Sequence, residues 1–271
     1  MRGCFNRSSR KAFLFFLFLL PVCGVLTGCR SVPITDRTQL LLTSSSYENE
    51  LGAEAYTEYK QKFPRSKNAR NNEALNRVGN SVRKVAPPND FQWEFIVLES
   101  PTENAFCLPG GKVAVYSGLL KVMKDEAELA AVVAHEIGHA IARHGGERMS
   151  WAQLQAIGAL GLAVGLENDT VNGIYGTGSE LGVMLPFSRS NEYEADRIGL
   201  LLMARAGYNP QAAVQFWTRF SKGKQASFLD SLTSTHPCDA DRIKELQSYM
   251  PQAEADYRKA ADKKNYGITL N

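Results

Sequence analysis

The chain has 271 residues, of which 44% are hydrophobic and 22% charged, a globular composition that excludes a disordered or collagen-like protein. The formal net charge is +3, but four of the 31 basic residues lie in an N-terminal segment that we expect to be removed, which leaves 27 against 28 acidic residues. A mature chain near −1 is not a strongly basic nucleic-acid binder, and five cysteines are too few for a disulfide scaffold.

The first 28 residues carry the pattern of a secretory signal. Residues 2–11 hold four positive charges and residues 12–26 are mostly apolar, which are the two regions of a signal peptide. The apolar stretch ends in Leu-Thr-Gly-Cys at 26–29, which resembles the lipobox of bacterial lipoproteins. The resemblance implies cleavage before Cys29 and its acylation, which would anchor the mature chain to a membrane. The alternative is an uncleaved transmembrane anchor, because about 20 apolar residues can span a bilayer.

The residues after the cysteine predict where the domain is held. Arg30 stands where an aspartate would favour the inner membrane, so we expect a lipid anchor in the outer membrane and a domain in the periplasm. Residues 30–46 are polar and rich in serine and threonine, so 29–46 is predicted to be the lipidated cysteine and a tether. No internal repeat follows, and residues 47–271 are predicted to form a single domain.

The spacing of apolar residues predicts an α+β domain, mostly helical, with a small sheet. In chain order the predicted elements are helices over 47–62 and 69–86, a strand over 91–98, two short extended runs about the Pro-Gly-Gly turn within 104–116, helices over 125–143, 147–165, 190–206, 210–222 and 239–249, and a short helical tail over 250–265. The apolar, glycine-rich segment 147–187 is expected to be either a core helix with a loop or a mobile lid.

Residues 135–139 read His-Glu-Ile-Gly-His within an apolar helical run. Positions four apart on an α-helix lie about 40° apart around its axis, so His135 and His139 can present two imidazoles to one ion. Glu136 is one step round, where it can reach a water on that ion but is poorly placed to bind it. This is the arrangement of zinc peptidases. Two histidines and a glutamate that served only packing would be costly, because buried polar groups need partners.

A third ligand has to come from elsewhere in the chain. The extended motif HExxHxxGxxH would place a histidine at 145, but that residue is Gly145, which excludes this arrangement. His144 follows His135 by nine positions, about 180° round a continuous helix. We therefore expect His144 to point away from the zinc face and to be a structural or capping residue.

A second predicted helix offers carboxylates instead. Glu192 and Asp196 are four apart and share one helix face, so Glu192 can be a ligand and Asp196 can accept a hydrogen bond from a ligand imidazole. Glu194 falls about 200° from Glu192 and is expected to face solvent. The alternative is a solvated acidic helix face with no metal.

These motifs together resemble one enzyme family. HExxH is followed by ExxxD within SRSNEYEADRIG at 188–199, preceded by NAFCLPGGKVAVYSGLL at 104–120, and followed by STHP at 234–237. The combination resembles the gluzincin metallopeptidases that include HtpX, BepA, LoiP and the CAAX prenyl proteases. The likeness to the soluble, Oma-like bacterial branch extends from about Glu73 to Leu246. It implies a zincin-type domain with one zinc ion per chain and a small sheet beside the HExxH helix.

The resemblance also implies roles for individual residues. The implied zinc ligands are His135, His139 and Glu192, the general base is Glu136, the residue that supports a ligand is Asp196, and the residues on the strand that pairs with substrate are Asn104, Ala105 and Phe106. His236, in the STHP motif, would occupy the fourth zinc position and hold the enzyme inactive, or would donate a hydrogen bond to the oxyanion. A surface histidine in a proline-containing loop is the alternative.

The implied reaction is hydrolysis of a peptide bond. Zinc lowers the pKa of a bound water to about 7, and Glu136 takes its proton and passes it to the leaving amine. A peptide that adds as a strand binds through main-chain hydrogen bonds, which suits unfolded or misassembled protein substrates. The expected function is therefore envelope protein quality control by a zinc endopeptidase, with envelope assembly machinery as a partner. The alternatives are a lipoprotein chaperone or assembly factor with a silenced zinc site, and hydrolysis of a cell-wall amide.

Two cysteines besides Cys29 remain in the mature chain. Cys107 flanks the implied substrate strand, and Cys238 lies two residues after His236. Because the periplasm is oxidising, one alternative is a Cys107–Cys238 disulfide that joins the two segments, and the other is two unconnected thiols.

Overall fold

The computed structural model describes residues 29–162, 187–222, 232 and 235–264. The predicted signal peptide at 1–28 and most of the predicted lid lie outside the described residues. The predicted fold class is confirmed, since the described part is mostly helical with two small sheets. Among the helices in these ranges, none combines the length with the apolar composition that a membrane span requires.

Nine helices and five strands make up the described part of the chain. In chain order they are β1 Cys29–Ser31, β2 Thr38–Leu40, α1 Ser45–Lys62, α2 Ala69–Val85, β3 Glu94–Leu98, β4 Ala105–Leu108, β5 Lys112–Tyr116, α3 Ser117–Val122, α4 Glu126–Ile141, α5 His144–Leu162, α6 Arg189–Arg205, α7 Gln211–Lys222, α8 Ala240–Ser248 and α9 Met250–Lys259. The short α3 was not predicted, and the predicted strand at 91–98 begins only at Glu94.

The helices that carry the motifs begin at polar caps. The side chain of Asp125 accepts a hydrogen bond from the backbone N–H of Glu128 at the start of α4, and Ser188 accepts one from Asn191 at the start of α6. Such caps satisfy backbone donors that a helix start leaves open, and each stabilises its helix by about 1 kcal/mol. Helix α4 ends at Ile141 because Arg143 adopts a left-handed conformation, with φ of 53°.

The larger sheet has the strand order β3-β5-β4. β3 runs parallel to β5, and β4 runs antiparallel to it, with Ala114 opposite both Ile96 and Phe106. The turn between β4 and β5 uses Gly110 and Gly111 at φ of 78° and 80°, a region that favours glycine. In the described part of the chain β4 pairs with β5 alone, so it is an edge strand. The two extended runs predicted about the turn at 109–111 are these two strands, paired as a hairpin.

The two faces of this sheet build two apolar clusters, because side chains alternate along a strand. Val113 and Val115 belong to the larger cluster, which holds residues of α2, α4 and α6. Ala114 and Tyr116 face the other side, where they pack with aromatic residues of α1. Helix α4 is buried along nearly its whole length, which explains why apolar residues occur on all its faces beside the polar residues of the motif.

Helices α4 and α6 touch backbone to backbone. A methyl group added at Gly199 would lie 2.7 Å from the backbone nitrogen of His135, and one at Gly138 would lie 2.8 Å from the carbonyl oxygen of Ala195. Both distances are shorter than real contacts, so only glycine fits at these two places. This close approach brings the HExxH motif against the helix that carries Glu192.

Residues 30–46 differ from the predicted tether. β1 and β2 pair antiparallel, and the turn that joins them buries Val32 completely. Leu41 is also buried, and the backbone N–H of Leu42 donates to Oγ of Ser150 on α5 over 2.8 Å. The segment 29–40, called the N-terminal hairpin below, therefore packs on the domain, while Cys29 itself is exposed.

Candidate metal centre

Three of the predicted ligands converge in the buried space between α4 and α6. Nε2 of His135 lies 3.1 Å from Nε2 of His139. The carboxylate of Glu192 spans both rings, with Oε2 at 3.5 Å from Nε2 of His135 and Oε1 at 3.3 Å from Nε2 of His139. With His236 these residues offer four ligand atoms that all lie within 4.8 Å of one another.

His236 lies between this cluster and Glu136. Its Nδ1 is 3.3 Å from Nε2 of His135 and 3.1 Å from Oε1 of Glu192. Its Nε2 is 3.4 Å from Oε1 of Glu136, a buried oxygen that has no hydrogen-bond partner. The residue predicted as a plug or oxyanion donor and the residue predicted as the base are therefore neighbours in one site.

The donor set fits a tetrahedral divalent metal ion. Zinc bonds of 2.0–2.1 Å to nitrogen or oxygen place neighbouring ligand atoms about 3.3–3.4 Å apart. Five contacts of the cluster, of which two are made by Oε1 of Glu192 and one by its Oε2, span 3.1 to 3.5 Å, and all four ligand atoms lie within 4.8 Å of one another. Two imidazole nitrogens that face each other share at most one proton, so a cation between them satisfies both lone pairs. Nitrogen donors with one carboxylate are a common zinc set.

The two histidines of the motif have different proton affinities. Burial lowers the pKa of His139 well below its usual value, which keeps the ring neutral and able to bind a metal. Burial also acts to lower the pKa of His135, but hydrogen bonds to Asp196 and Glu192 outweigh it and raise the pKa to about 9. A positive charge is therefore favoured in the cluster, as a proton or as a metal ion.

The carboxylates of the site also differ. Burial raises the pKa of Glu136, which suits a group that accepts and releases a proton. Burial acts in the same direction on Glu192, but the neighbouring His236 and Arg242 lower its pKa well below the usual value. Glu192 is thus held as an anion, the form in which a carboxylate binds metal.

His135 is held from behind by a direct carboxylate contact. Its Nδ1 lies 2.9 Å from Oδ1 of Asp196, the contact that the sequence predicted for this residue. Arg242, buried on α8, donates from Nε to Oδ2 of Asp196 over 2.6 Å, and its Nη1 lies 2.7 Å from Oε2 of Glu192. The Arg242 guanidinium also lies 4.4 Å from the ring centre of Trp217, which packs against His135.

Arg242 and Trp217 were not predicted to belong to the site. Arg242 also donates to the carbonyl oxygens of His236 and Pro237 over 3.2 and 3.1 Å, so it fixes the STHP loop as well as the carboxylates. The only feature of the sequence that could have indicated Arg242 is its position, five residues after the STHP motif and near the start of a predicted helix. Trp217 has no signal beyond the apolar spacing of α7.

His139 is held through the imidazole of His144. The predictions for His144 and for Glu194 were both wrong. His144 does not point away from the site: its Nδ1 lies 2.8 Å from Nδ1 of His139. Glu194 does not face solvent: it is 7% exposed, and its Oε2 lies 3.0 Å from Nε2 of His144. The physical reason for the first error is that α4 ends before Arg143, so an angle extrapolated along one continuous helix does not apply.

An aromatic ring and a small cavity border the site on the His139 side. The ring of Phe187 stacks on that of His139, with centroids 4.0 Å apart and planes at 26°. A cavity of about 40 Å³ lies beside them, and Cys107, Leu108 and Met149 line it. Phe187 closes one wall of this space, a role that the sequence did not indicate.

The predicted substrate strand lies at the edge of the sheet, but its side chains face inward. Asn104, Ala105 and Phe106 are 6%, 1% and 5% exposed. Phe106 packs on Tyr59 of α1, with ring centroids 4.7 Å apart. A peptide at this edge would therefore meet main-chain groups rather than these side chains.

The two cysteines are not joined by the disulfide that was one alternative. Cys107 lines the cavity beside His139, and burial, with the nearby Glu136 carboxylate, raises the pKa of its thiol. Cys238 is buried with Sγ 3.9 Å from the carbonyl oxygen of Trp217, on the His135 side. The two thiols therefore have different surroundings, the cavity beside His139 for Cys107 and the backbone of Trp217 for Cys238.

Comparison with known proteins agrees with this site. The model of peptidase family M48 matches residues 69–250, a span that includes α4, α6 and the STHP loop. The match covers well over half of the chain, and the chain belongs to peptidase family M48. The members of this family are metal-dependent peptidases, and the described His and Glu residues can bind a metal.

Relatives with assigned names are also proteases. The mitochondrial metalloendopeptidase OMA1 of Schizosaccharomyces pombe is 35% identical over 239 residues, which cover 84% of this chain and 68% of the relative. OMA1 of Arabidopsis thaliana is 44% identical over 164 residues, 60% of this chain and 33% of the relative. The beta-barrel assembly-enhancing protease of Yersinia pestis is 32% identical over 186 residues, 64% of this chain and 38% of the relative. The predicted enzyme class, a metalloendopeptidase, is confirmed.

Proposed function

We propose that this protein is a zinc endopeptidase of the bacterial envelope that cleaves misfolded or misassembled proteins. The observation that carries the proposal is the cluster of His135, His139, Glu192 and His236, with the orphaned Oε1 of Glu136 beside it. Zinc is the metal we propose, because the donor set and its spacing suit that ion.

The envelope location rests on the N-terminal sequence and on the relatives. We propose that the signal peptide is removed, that Cys29 is lipidated, and that the domain is held in the periplasm at the outer membrane. The bacterial relative is named for the assembly of β-barrels, which supports a substrate or partner among envelope proteins that fail to assemble.

Substrate binding is proposed at the outer edge of β4. An extended peptide there would run as an added strand beside Asn104, Ala105 and Phe106. Because the side chains of these residues are buried, recognition would depend on main-chain hydrogen bonds. Such binding has little sequence preference and suits unfolded protein.

The mechanism assigns one task to each residue of the site. His135, His139 and Glu192 would hold the metal, which supplies Lewis-acid chemistry when bound: it acidifies water and polarises a carbonyl. Glu136 accepts a proton from the attacking water at Oε1 and returns it to the leaving amine, and its raised pKa suits both transfers. Asp196 keeps the proton of His135 on Nδ1, so that Nε2 remains free to bind.

His236 is proposed to be a reversible plug. Its Nδ1 approaches His135 and Glu192 within 3.3 Å and its Nε2 approaches Glu136, so the ring fills the position that an attacking water needs. Cleavage would require His236 to move away. Once displaced, a ring N–H of His236 could donate a hydrogen bond to the oxyanion. The variant His236→Ala separates the role of plug from the role of oxyanion donor.

The second candidate function is a chaperone or assembly factor with a silenced site. The position of His236 favours this candidate, because a permanently plugged site hydrolyses nothing. The intact Glu136 beside the cluster argues for catalysis, since a silenced site has no need of a buried carboxylate oxygen that lacks a hydrogen bond.

The test measures zinc content and casein cleavage of the full chain as wild type, Glu136→Gln and His236→Ala. We expect one zinc per chain in all three proteins and loss of cleavage in Glu136→Gln. Glu126→Gln is the matched control, because it replaces another buried carboxylate of α4, one that pairs with Arg77 instead. Faster cleavage by His236→Ala supports the plug, and slower cleavage supports the oxyanion donor.

Three outcomes would contradict the proposal. Bound zinc with no cleavage of casein in any variant favours the chaperone. Absence of zinc from the wild-type chain contradicts the metal site itself. Cleavage of purified cell wall but not of casein would assign the activity to a cell-wall amide.

A further inference from the structure

A series of polar contacts connects His139 to the N-terminal hairpin. Nδ1 of His139 lies 2.8 Å from Nδ1 of His144, whose Nε2 lies 3.0 Å from Oε2 of Glu194. Arg37 donates from Nε to the same Oε2 over 2.7 Å. The ring of a predicted ligand is thus joined, through two side chains, to an arginine of the hairpin.

The direction of donation follows from imidazole chemistry. His139 turns Nε2 toward the cluster, and a neutral ring that binds a metal through Nε2 carries its proton on Nδ1. That N–H donates to Nδ1 of His144, which leaves the proton of His144 on Nε2, where it meets Glu194. Glu194 can accept from His144 and from Arg37 together because a carboxylate only accepts.

The turn of the hairpin is built to reach Glu194. Thr35 donates from Oγ1 to Oε1 of Glu194, while Arg37 serves the other oxygen. The residues on either side of Thr35, Ile34 and Asp36, both have positive φ, at 75° and 58°. This conformation is rare for a β-branched residue such as isoleucine and is kept only where surrounding contacts hold it. Here those contacts include the two that end on Glu194.

Arg37 also bridges two helices. Its Nη1 and Nη2 donate to the two oxygens of Glu147 on α5, each over 2.8 Å, while Nε serves Glu194 on α6. The planar guanidinium makes all these bonds at once, which a lysine ammonium cannot do. Asn191 of α6 donates to Glu147 over 3.0 Å and closes the network.

We propose that Arg37 and Thr35 are positioning residues of the metal centre, which fix the ring of His139 through Glu194 and His144. The proposal rests on the proposed function only in taking His139 as a metal ligand. It makes the N-terminal hairpin part of the support of the metal site. A histidine ligand is oriented, and made more basic, by the hydrogen bond that its second ring N–H donates to a neighbouring group. Loss of that hydrogen bond weakens metal binding.

The test is zinc affinity of the full chain, measured by competition with a fluorescent chelator. We expect Arg37→Ala to raise the zinc Kd about tenfold, at the lower end of the effect of losing a partner of a ligand. Thr35→Val is expected to raise the Kd less, and Thr35→Ser to retain the wild-type value. Arg37→Lys should recover only part of the affinity, because it can reach one carboxylate at a time.

Arg205→Ala is the matched control. Arg205 lies on α6, its Nε makes a 2.8 Å ion pair with Asp256, and its side chain is 35% exposed against 31% for Arg37. It is at the far end of the helix from Glu194, so its loss should leave the zinc Kd unchanged. Thermal unfolding of the metal-free proteins shows whether the two arginine variants lose similar stability. Of these two arginine variants, only Arg37→Ala should change the absorption spectrum of the cobalt-loaded protein.

The outcomes separate this proposal from the proposed function. A wild-type chain that binds no zinc overturns the metal centre and this inference together. Tight wild-type binding with an unchanged Kd and cobalt spectrum in Arg37→Ala and Thr35→Val overturns the positioning role alone, whatever happens to casein cleavage. A raised Kd in Arg37→Ala, with partial recovery in Arg37→Lys and none of the effect in Arg205→Ala, supports it.

Discussion

The two histidines of the HExxH motif are held in different ways. His135 meets the carboxylate of Asp196 directly, and that carboxylate is paired with Arg242, whose side chain is 2% exposed. His139 reaches a carboxylate only through a second imidazole, and that carboxylate is paired with Arg37, whose side chain is 31% exposed. The His135 side of the site therefore lies in the core, and the His139 side extends toward the surface.

The difference indicates a division of tasks. A buried ion pair that loses one partner leaves an uncompensated charge in the core, which destabilises the fold strongly. A partly exposed pair can exchange its partner for water, so its loss changes local geometry more than stability. We expect the His135 side to decide whether the domain folds and the His139 side to adjust the metal site.

The largest expected effect is that of Arg242→Ala. It leaves Asp196 and Glu192 buried without their positive partner, and we expect the free energy of unfolding to fall by about 3–5 kcal/mol. Urea unfolding monitored by circular dichroism measures this. Lys244→Ala on the same helix is the control, because both members of its ion pair with Asp241 are exposed, and it should change stability by less than about 0.5 kcal/mol. If Arg242→Ala lowered the free energy of unfolding by less than about 1 kcal/mol, the His135 side would not be the part of the site on which folding depends.

The next largest effect is a difference in stability between two glycine variants, Gly199→Ala and Gly145→Ala. Gly199→Ala forces a methyl group against the backbone of His135, at 2.7 Å from its nitrogen, and should destabilise the domain by about 1–3 kcal/mol or more. Gly145→Ala on the His139 side meets nothing closer than 3.8 Å and should be neutral or stabilise by up to about 1 kcal/mol. Thermal unfolding of both variants measures the contrast, and equal losses would show that backbone contact between α4 and α6 is not what sets the packing.

A smaller effect concerns metal affinity. Asp196→Asn removes the charge that directly faces His135, and we expect zinc affinity to fall about 100-fold. Glu194→Gln acts on His139 through His144, so a fall of about tenfold is expected, at the lower end of the same range. Chelator competition measures both values. If Glu194→Gln weakened zinc binding as much as Asp196→Asn, the indirect contact would be as important as the direct one.

The smallest expected effect is that of a reductant on the rate of casein cleavage. Because Cys107 and Cys238 are not bonded and lie beside different residues, His139 and Trp217 respectively, casein cleavage should be the same with and without reductant. Alkylation of the unreduced, denatured protein followed by mass spectrometry should label both cysteines. A peptide pair linked through these two sulfurs would refute this.

The motif residues could be predicted because their chemistry depends on short spacings. His135 and His139 are four apart, as are Glu192 and Asp196, and helix periodicity fixes their faces without any knowledge of the fold. The predicted starts of both helices, at 125 and 190, lie within one residue of the observed ones, which follow the polar caps Asp125 and Ser188.

The errors have a common origin. Angles around a helix apply only while the helix continues, and the left-handed residue Arg143 ends α4 before His144. Glu194 is on a continuous helix, but the face opposite Glu192 is covered by the N-terminal hairpin, which polar composition had suggested was a tether. The spacing of residues along a helix shows which of them share a face, but it does not show which other segments of the chain pack on each face.

The sequence by itself determined the class of enzyme and the residues that can bind a metal, because both follow from local helix geometry and from the donor chemistry of histidine and glutamate. Only the tertiary structure decided what surrounds them: Arg242 and Trp217 behind His135, Phe187 against His139, and Arg37 behind Glu194. These contacts join segments distant in the chain, and they form because α4 and α6 approach closely enough for other elements to close around both.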